Sequence, residues 1–215
     1  MSAGNRIHLL LALDRGEADD LLSIARKAAP YVDWIEAGTP WIVADGLSTV
    51  RRLRQVFPQK TILADVKIAD AGDLEAAAAF AAGADMVTVL GLAGDATVKR
   101  AVAAAERHQG MIVVDLMHVA APAVRAREVM ALGACAVVYH VAHDDGGTAP
   151  VPLIEVPPEA RRTFIVAGGL RLEAVPALAR LRPWAIVVGR AITEAPDPAA
   201  VAQAFREALD RETSR

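Results

Sequence analysis

The sequence has a single cysteine, Cys135, in 215 residues. An internal disulfide is excluded, and a reducing compartment is expected. Cys135 sits in an apolar run with Ala134, Ala136, Val137 and Val138, which points to a buried structural thiol rather than a nucleophile. Charge of one sign is not in excess either: 23 Lys and Arg stand against 26 Asp and Glu, a formal charge of −3 at pH 7. Without a basic excess there is no case for nucleic acid, and without a polybasic run none for a membrane surface. Long hydrophobic runs are missing too. The first apolar stretch, residues 7–13, spans about seven residues before Asp14, Arg15 and Glu17 interrupt it. That is too short for a spanning helix and makes a poor signal peptide, so a cytoplasmic protein is expected. A glycine-rich G-x-G-x-x-G turn is also lacking, since the first run ends in LDRGEADD, and this weighs against a doubly wound dinucleotide-binding sheet.

What is present is core-forming material: 54% hydrophobic residues and a mean hydropathy of +0.31. Short apolar runs rich in Val and Ile recur at 7–13, 34–37, 61–66, 86–90, 111–116, 136–140, 163–168 and 185–189. Each is apolar on both faces, as parallel strands buried on both sides require. Between them, EADDLLSIARKAA, GLSTVRRLRQVF, DLEAAAAFAAGA, DATVKRAVAAAERH, APAVRAREVMALGA and DPAAVAQAFREALDRE place apolar residues at helical spacing. Gly83, Gly110 and Gly133 each follow an Ala-rich helix and precede a strand, where left-handed C-caps are expected. Eight such units in 215 residues, about 27 residues each, predict a (β/α)8 TIM barrel, α/β in class, forming a single domain over 1–215. One unit is irregular. Residues 144–160, DDGGTAPVPLIEVPPEA, hold four prolines, so a long loop is expected there rather than a full helix.

In a barrel, reactive groups gather at the C-terminal ends of the strands. Those ends carry Asp14, Glu36, Asp65 with Lys67, Asp115, and His140 with His143 nearby. Period two puts Asp65 and Lys67 on one face of their strand. Glu36 and Asp65, on neighbouring strands, offer hard oxygen ligands to a divalent ion such as Mg²⁺. Lys67, held among carboxylates, is expected to stay protonated and to stabilise a developing oxyanion such as an enediolate. His140 then moves protons near neutral pH. The competing reading is a ring of salt bridges that merely closes the barrel end. Gly-rich turns VAGGL and VVGRAI follow the last two strands, and there Gly168, Gly169, Gly189 and Arg190 form an expected phosphate cradle.

These residues sit in a set of motifs: ALD (12–14), VDWIEAGTP (32–40), ADVKIADAG (64–72), GADMVTVLG (83–91), VVDLMHV (113–119), RAREVMALGA (125–134), VVYH (137–140), VAGGL (166–170) and VVGRAIT (187–193). With them the chain resembles the orotidine-monophosphate-decarboxylase suprafamily, in the branch of 3-hexulose-6-phosphate synthase and 3-keto-L-gulonate-6-phosphate decarboxylase. The D-x-K-x-x-D motif, Asp65-Lys67-Asp70, is the most specific element. The resemblance implies a Mg²⁺-dependent phosphosugar lyase, with Glu36 and Asp65 as metal ligands and Lys67, His140, Asp65 and Asp70 as catalytic residues. It implies Asp14, Asp115, His143, Gly168, Gly169, Gly189 and Arg190 as substrate-binding positions. It also implies a homodimer in which Asp70 reaches the partner's site.

IEAGTPWIVADGLS, VTVLG and VVDLMHV favour the synthase, which joins formaldehyde to ribulose 5-phosphate, whereas KIADAG is closer to the decarboxylase. His143 fits neither pattern, so a further ketose-phosphate specificity stays open, as does a non-catalytic phosphosugar-binding barrel.

Overall fold

The computed structural model describes residues 6–145 and 163–213. Eight parallel strands close into a barrel in chain order: β1 (His8–Leu13), β2 (Trp34–Ala37), β3 (Thr61–Ile68), β4 (Met86–Leu90), β5 (Met111–Asp115), β6 (Ala136–His140), β7 (Phe164–Ala167) and β8 (Ala185–Val188). Around them run α1 (Ala18–Ala28), α2 (Thr39–Asp45), α3 (Ser48–Val56), α4 (Gly72–Ala81), α5 (Asp95–His108), α6 (Pro122–Ala131), α7 (Val175–Leu181), α8 (Arg190–Thr193) and α9 (Pro198–Thr213). The predicted TIM barrel is the observed fold. The irregular segment expected at 144–160 lies outside the described residues beyond position 145, where a 3-10 turn (His143–Asp145) closes.

Strand alternation sorts the apolar residues into two cores. Outward members such as Leu9, Leu11, Leu13, Ile35, Ile62, Val87 and Val114 pack under the helices. Inward members fill the barrel: Leu10, Ala12, Trp34, Leu63, Met86, Val113, Ala136, Val138, Ile165, Ala167 and Ala185. A fully buried Leu or Ile contributes about 1.5–3 kcal/mol, so the outer layer, rich in both, holds the helices on.

The N-terminal end of the barrel is plugged. His8 stacks on Trp34 at a ring separation of 4.5 Å, and Trp34 meets Trp184 edge-on at 4.7 Å. Two aspartates latch neighbouring strands there. Asp33 donates its amide to Leu9 O (2.8 Å), while its Oδ2 accepts the Leu9 amide (2.9 Å) and Arg206 Nη1 (3.1 Å). Asp85 repeats the pattern with Ile62 O (2.8 Å), the Ile62 amide (2.7 Å) and Arg54 Nη2 (2.5 Å). Cys135 holds the corresponding place before β6, its amide 2.8 Å from Ile112 O, but brings no carboxylate. The thiol is half-buried rather than fully buried as expected, yet this burial still pushes it up to about 11, which keeps it unreactive.

Two local expectations change. Gly83 and Gly133 do turn left-handed (φ 108° and 101°), but the left-handed cap of α5 is Gln109 (φ 57°), not Gly110. Gly110 is needed for space, because a Cβ there would stand 2.2 Å from the Phe80 ring. The helical spacing argument also leaves out α2. That helix starts with Pro40 in its first turn, buries Trp41, and ties Trp41 Nε1 to Asp45 Oδ2 at 3.0 Å.

Candidate active site

On five strands the inward series ends in a polar side chain at the C-terminal rim, and on β4 the polar Thr88 stands one inward step before the end at Leu90. Leu10 and Ala12 lead to Asp14, Trp34 to Glu36, Leu63 to Asp65, Met86 to Thr88, Val113 to Asp115, and Ala136 and Val138 to His140. The alternation that fills the barrel therefore also builds the site. At β3 the alternation is broken: Ala64 pairs with Val87 but Ile68 with Val89, so four steps along β3 oppose two along β4. This bulge carries Lys67 in a left-handed conformation, φ 54°. Period two is the wrong reason for its placement, yet the two side chains do meet. Lys67 Nζ lies 2.6 Å from Asp65 Oδ2 and 3.1 Å from Asp115 Oδ2.

Asp115 is the hub. It is 2% exposed, and its Oδ2 also takes His140 Nδ1 at 2.8 Å while its Oδ1 accepts the Met117 amide at 2.9 Å. Burial opposes its ionisation, but the His140 hydrogen bond and the Lys67 charge outweigh that and hold it below the usual carboxylate range. An ionised carboxylate only accepts, so His140 Nδ1 is the donor in this contact and the imidazole is oriented by it. For Lys67, burial disfavours the charge, but the carboxylates of Asp65 and Asp115, with Glu36 behind them, hold the ammonium above its ordinary range.

Asp65 is fixed from both sides. Its Oδ2 accepts Thr39 Oγ1 (2.8 Å) besides Lys67, and its Oδ1 accepts Thr88 Oγ1 (2.8 Å). Glu36 differs sharply. It is 8% exposed and accepts no hydrogen bond or ion pair among the described residues. Burial, then the charges of Asp65 and Asp14, push its carboxyl well above the ordinary range. Asp14 is raised for the same reasons, burial first and Asp65 second. It packs between two glycines: a Cβ on Gly38 would stand 2.0 Å from its Oδ1, and one on Gly189 would stand 3.4 Å from its Oδ2.

This donor set fits a hard cation. Glu36 offers all its lone pairs and Asp65 the remainder of Oδ1, which suits Mg²⁺, an ion that takes one or two carboxylates and keeps its waters. Among the described residues no group of three or more His, Cys, Asp or Glu is arranged to hold a metal on its own.

The remaining candidates sit around this core. Gly168 (φ 106°) and Gly169 (φ 57°) turn left-handed after β7, and a Cβ on Gly168 would stand 2.5 Å from Val141 O. Gly189 precedes α8, whose first residue is the exposed Arg190. His143 is exposed in its 3-10 turn. Asp70 is exposed, its Oδ1 accepting the Ala71 amide at 2.7 Å, and no hydrogen bond or ion pair among the described residues joins it to Lys67 or Asp65. Sequence reasoning passed over Thr88. The available signal was one hydroxyl in an otherwise apolar inward series, MVTVL.

A closed eight-stranded barrel with a lysine bridging carboxylates at its C-terminal rim, beside an oriented imidazole, defines the class: a (β/α)8-barrel lyase. The chain belongs to the orotidine 5'-phosphate decarboxylase / HUMPS family, whose model matches residues 8–205. It is 43% identical over 204 residues to the 3-hexulose-6-phosphate synthase of Mycobacterium gastri, covering 94% of this chain and 99% of that one. The solved 3-hexulose-6-phosphate synthase of Salmonella typhimurium superposes with a TM-score of 0.90 at 34% identity, over 96% of this chain and 100% of that one. The solved KGPDC of Streptococcus mutans gives a TM-score of 0.85 at 31% identity, over 96% and 98% of the two chains.

Proposed function

We propose that this protein is a 3-hexulose-6-phosphate synthase, an aldehyde-lyase that joins formaldehyde to ribulose 5-phosphate through an enediolate. The observation that carries the proposal is Lys67 Nζ held between Asp65 and Asp115, with His140 oriented by the same Asp115 oxygen. His140 Nε2 takes a proton from the hydroxyl-bearing carbon beside the carbonyl, and the C–H electron pair becomes the enediolate double bond, leaving one negative charge on the former carbonyl oxygen. The Lys67 ammonium faces that charge in a site preorganised by its carboxylates. The enediolate carbon then bonds to the formaldehyde carbon, and the former aldehyde oxygen takes up a proton, with His140 Nε2 as the group that carries it. Glu36 and Asp65 would hold Mg²⁺, which when bound supplies further positive charge for the oxyanions. Gly168, Gly169, Gly189 and Arg190 would hold the phosphate, with Asp14 and Asp115 around the sugar hydroxyls and His143 at the mouth.

We also propose a homodimer that places Asp70 in the partner's site. Support comes from its exposure and from the apolar side chains Leu74 and Leu92, exposed on the segments that follow β3 and β4. A single domain over 1–215 and a cytoplasmic location complete the proposal. The latter is supported by the lone half-buried cysteine, which has no partner in the chain for an internal disulfide.

The decarboxylase reaction stands as the second reading, because KGPDC shares the fold at 31% identity and KIADAG leans toward it. Assays with Mg²⁺ decide between them. Consumption of formaldehyde with ribulose 5-phosphate is the expected result. Release of CO₂ from 3-keto-L-gulonate 6-phosphate without that condensation transfers the assignment. Inertness toward both, with ligand binding retained, marks a binding-only barrel.

A further inference from the structure

Lys67 has a left-handed backbone, φ 54°. A left-handed residue with a side chain costs about 1–2 kcal/mol, so neighbouring groups must hold it there. Its amide is the handle: Lys67 N donates to Thr88 Oγ1 at 2.9 Å. The same hydroxyl donates to Asp65 Oδ1 at 2.8 Å. One hydroxyl has one proton to give and lone pairs to receive, so both bonds form together. Thr88 is 2% exposed on β4, the strand next to the bulge, so water does not substitute for either partner.

We propose that Thr88 is a positioning residue of the active site: its hydroxyl ties the Lys67 backbone to the Asp65 carboxylate, and so fixes the ammonium against Asp65 and Asp115. The inference rests on the proposed reading of this site and extends it to a residue whose hydroxyl is already engaged by Lys67 and Asp65. Thr39 acts on the other side of the same carboxylate, donating to Asp65 O or Oδ2 at 2.7 and 2.8 Å. It has no link to the Lys67 backbone among the described residues, so its loss leaves the bulge intact.

The test is a comparison of Thr88→Val, which keeps the shape, with Thr88→Ser, which keeps the hydroxyl. Thr88→Ala is carried alongside in case the valine variant does not fold. Losing the tie misplaces the ammonium, and kcat for condensation is expected to fall about 100-fold with KM little changed. Thr88→Ser is expected to stay within about threefold of the parent.

A second readout needs no substrate. The chain has four lysines, Lys27, Lys60, Lys67 and Lys99, so acetylation by an N-hydroxysuccinimide ester at pH 9 resolves each by mass spectrometry. In the parent, Lys67 should be the slowest. In Thr88→Val its rate should rise about tenfold, as the amine loses its fixed contacts with Asp65 and Asp115 and becomes open to the reagent, while the other three stay unchanged. A simple loss of packing would leave kcat and Lys67 acetylation at parent values and appear only in thermal stability. Parent-like Lys67 acetylation in the folded hydroxyl-free variant overturns the proposal, as does parent-like kcat. So does a Thr88→Ser variant as impaired as Thr88→Val. If the unmodified chain condenses no formaldehyde, the synthase reading fails alone, and the acetylation comparison still decides the role of Thr88.

Discussion

Strand β2 begins after Asp33 and carries Glu36 three residues later, and the two carboxylates meet opposite fates. Asp33 accepts the Leu9 amide and pairs with Arg6 (2.9 Å) and Arg206 (3.1 Å). Burial opposes its ionisation, yet the contacts from His8, Leu9 and the two arginines hold it below the usual range. Glu36 is buried among other acids, takes no hydrogen bond among the described residues and is pushed upward. The same contrast separates the two ends of the barrel. At the N-terminal end charges are paired and the space is filled by His8, Trp34 and Trp184. At the C-terminal end Asp14, Glu36, Asp65 and Asp115 share a single ammonium, Lys67. What separates a site from a structural plug here is not the number of charges but whether the protein satisfies them by itself.

The contrast is broken most forcefully at Lys67. Lys67→Ala should lower kcat about 1000-fold, the scale for losing a preorganised partner of the oxyanion, as read by steady-state condensation. Turnover at parental rate would make the C-terminal cluster as structural as the N-terminal one.

Next in size is a pair of isosteric substitutions of opposite sign. Asp33→Asn should destabilise by about 2 kcal/mol, since the buried Arg206 loses one of its two carboxylate partners and keeps only Asp210 at 2.7 Å. Glu36→Gln should stabilise by about 1 kcal/mol while abolishing condensation, because it removes a buried carboxyl whose ionisation nothing in the protein compensates. Urea unfolding at pH 7 measures both, and equal signs would erase the distinction between the two ends.

The pH dependence sharpens the same comparison. Asp33 has a lowered folded value, so its contribution is fully present above its unfolded value of 3.8 and is lost as pH falls through the folded value. Glu36 has a raised folded value, so its penalty is absent below 4.5 and grows as pH rises from there toward the folded value. In unfolding midpoints between pH 3 and 8, Asp33→Asn should flatten the acid limb and Glu36→Gln the approach to neutrality.

The smallest effect is on metal binding. At the proposed Mg²⁺ site the ion would take Glu36 in its ionised form, so uptake should release a fraction of a proton, and affinity should rise with pH. Calorimetry in buffers of different ionisation enthalpy reads this directly, and the release should vanish in Glu36→Gln. Stripping the metal with EDTA should lower the unfolding midpoint by a few degrees in the parent and leave that variant unchanged.

Much of this was legible in the sequence. The runs 34–37, 86–90 and 136–140 are the observed β2, β4 and β6, and DATVKRAVAAAERH is α5, because strict apolar spacing over a whole element leaves little choice. Glu36, Asp65, Lys67, Asp115 and His140 stand out because charge inside an apolar run is rare. Four things were not legible. The helix α2 depends on burying Trp41 in tertiary packing, which local periodicity does not report. The bulge at Lys67 is a mismatch between two strands, tied by residues 21 positions apart, and no single segment announces it. Thr88 was visible only as an inward hydroxyl, and its two partners come from that bulge. The pairing of Asp115 with both Lys67 and His140 likewise needs three strands at once.

The paired aspartate latches at the barrel floor suggest how the chain gets there. Leu9 with Asp33 and Ile62 with Asp85 are joined across 24 and 23 residues, so each latch fastens one strand to the next without waiting for the cylinder to close. Short closures of this kind lose little chain entropy and favour rapid assembly. The first four strands are thus supplied with two self-contained clasps, while β5 and β6, where Cys135 takes the aspartate's place, must rely on their neighbours.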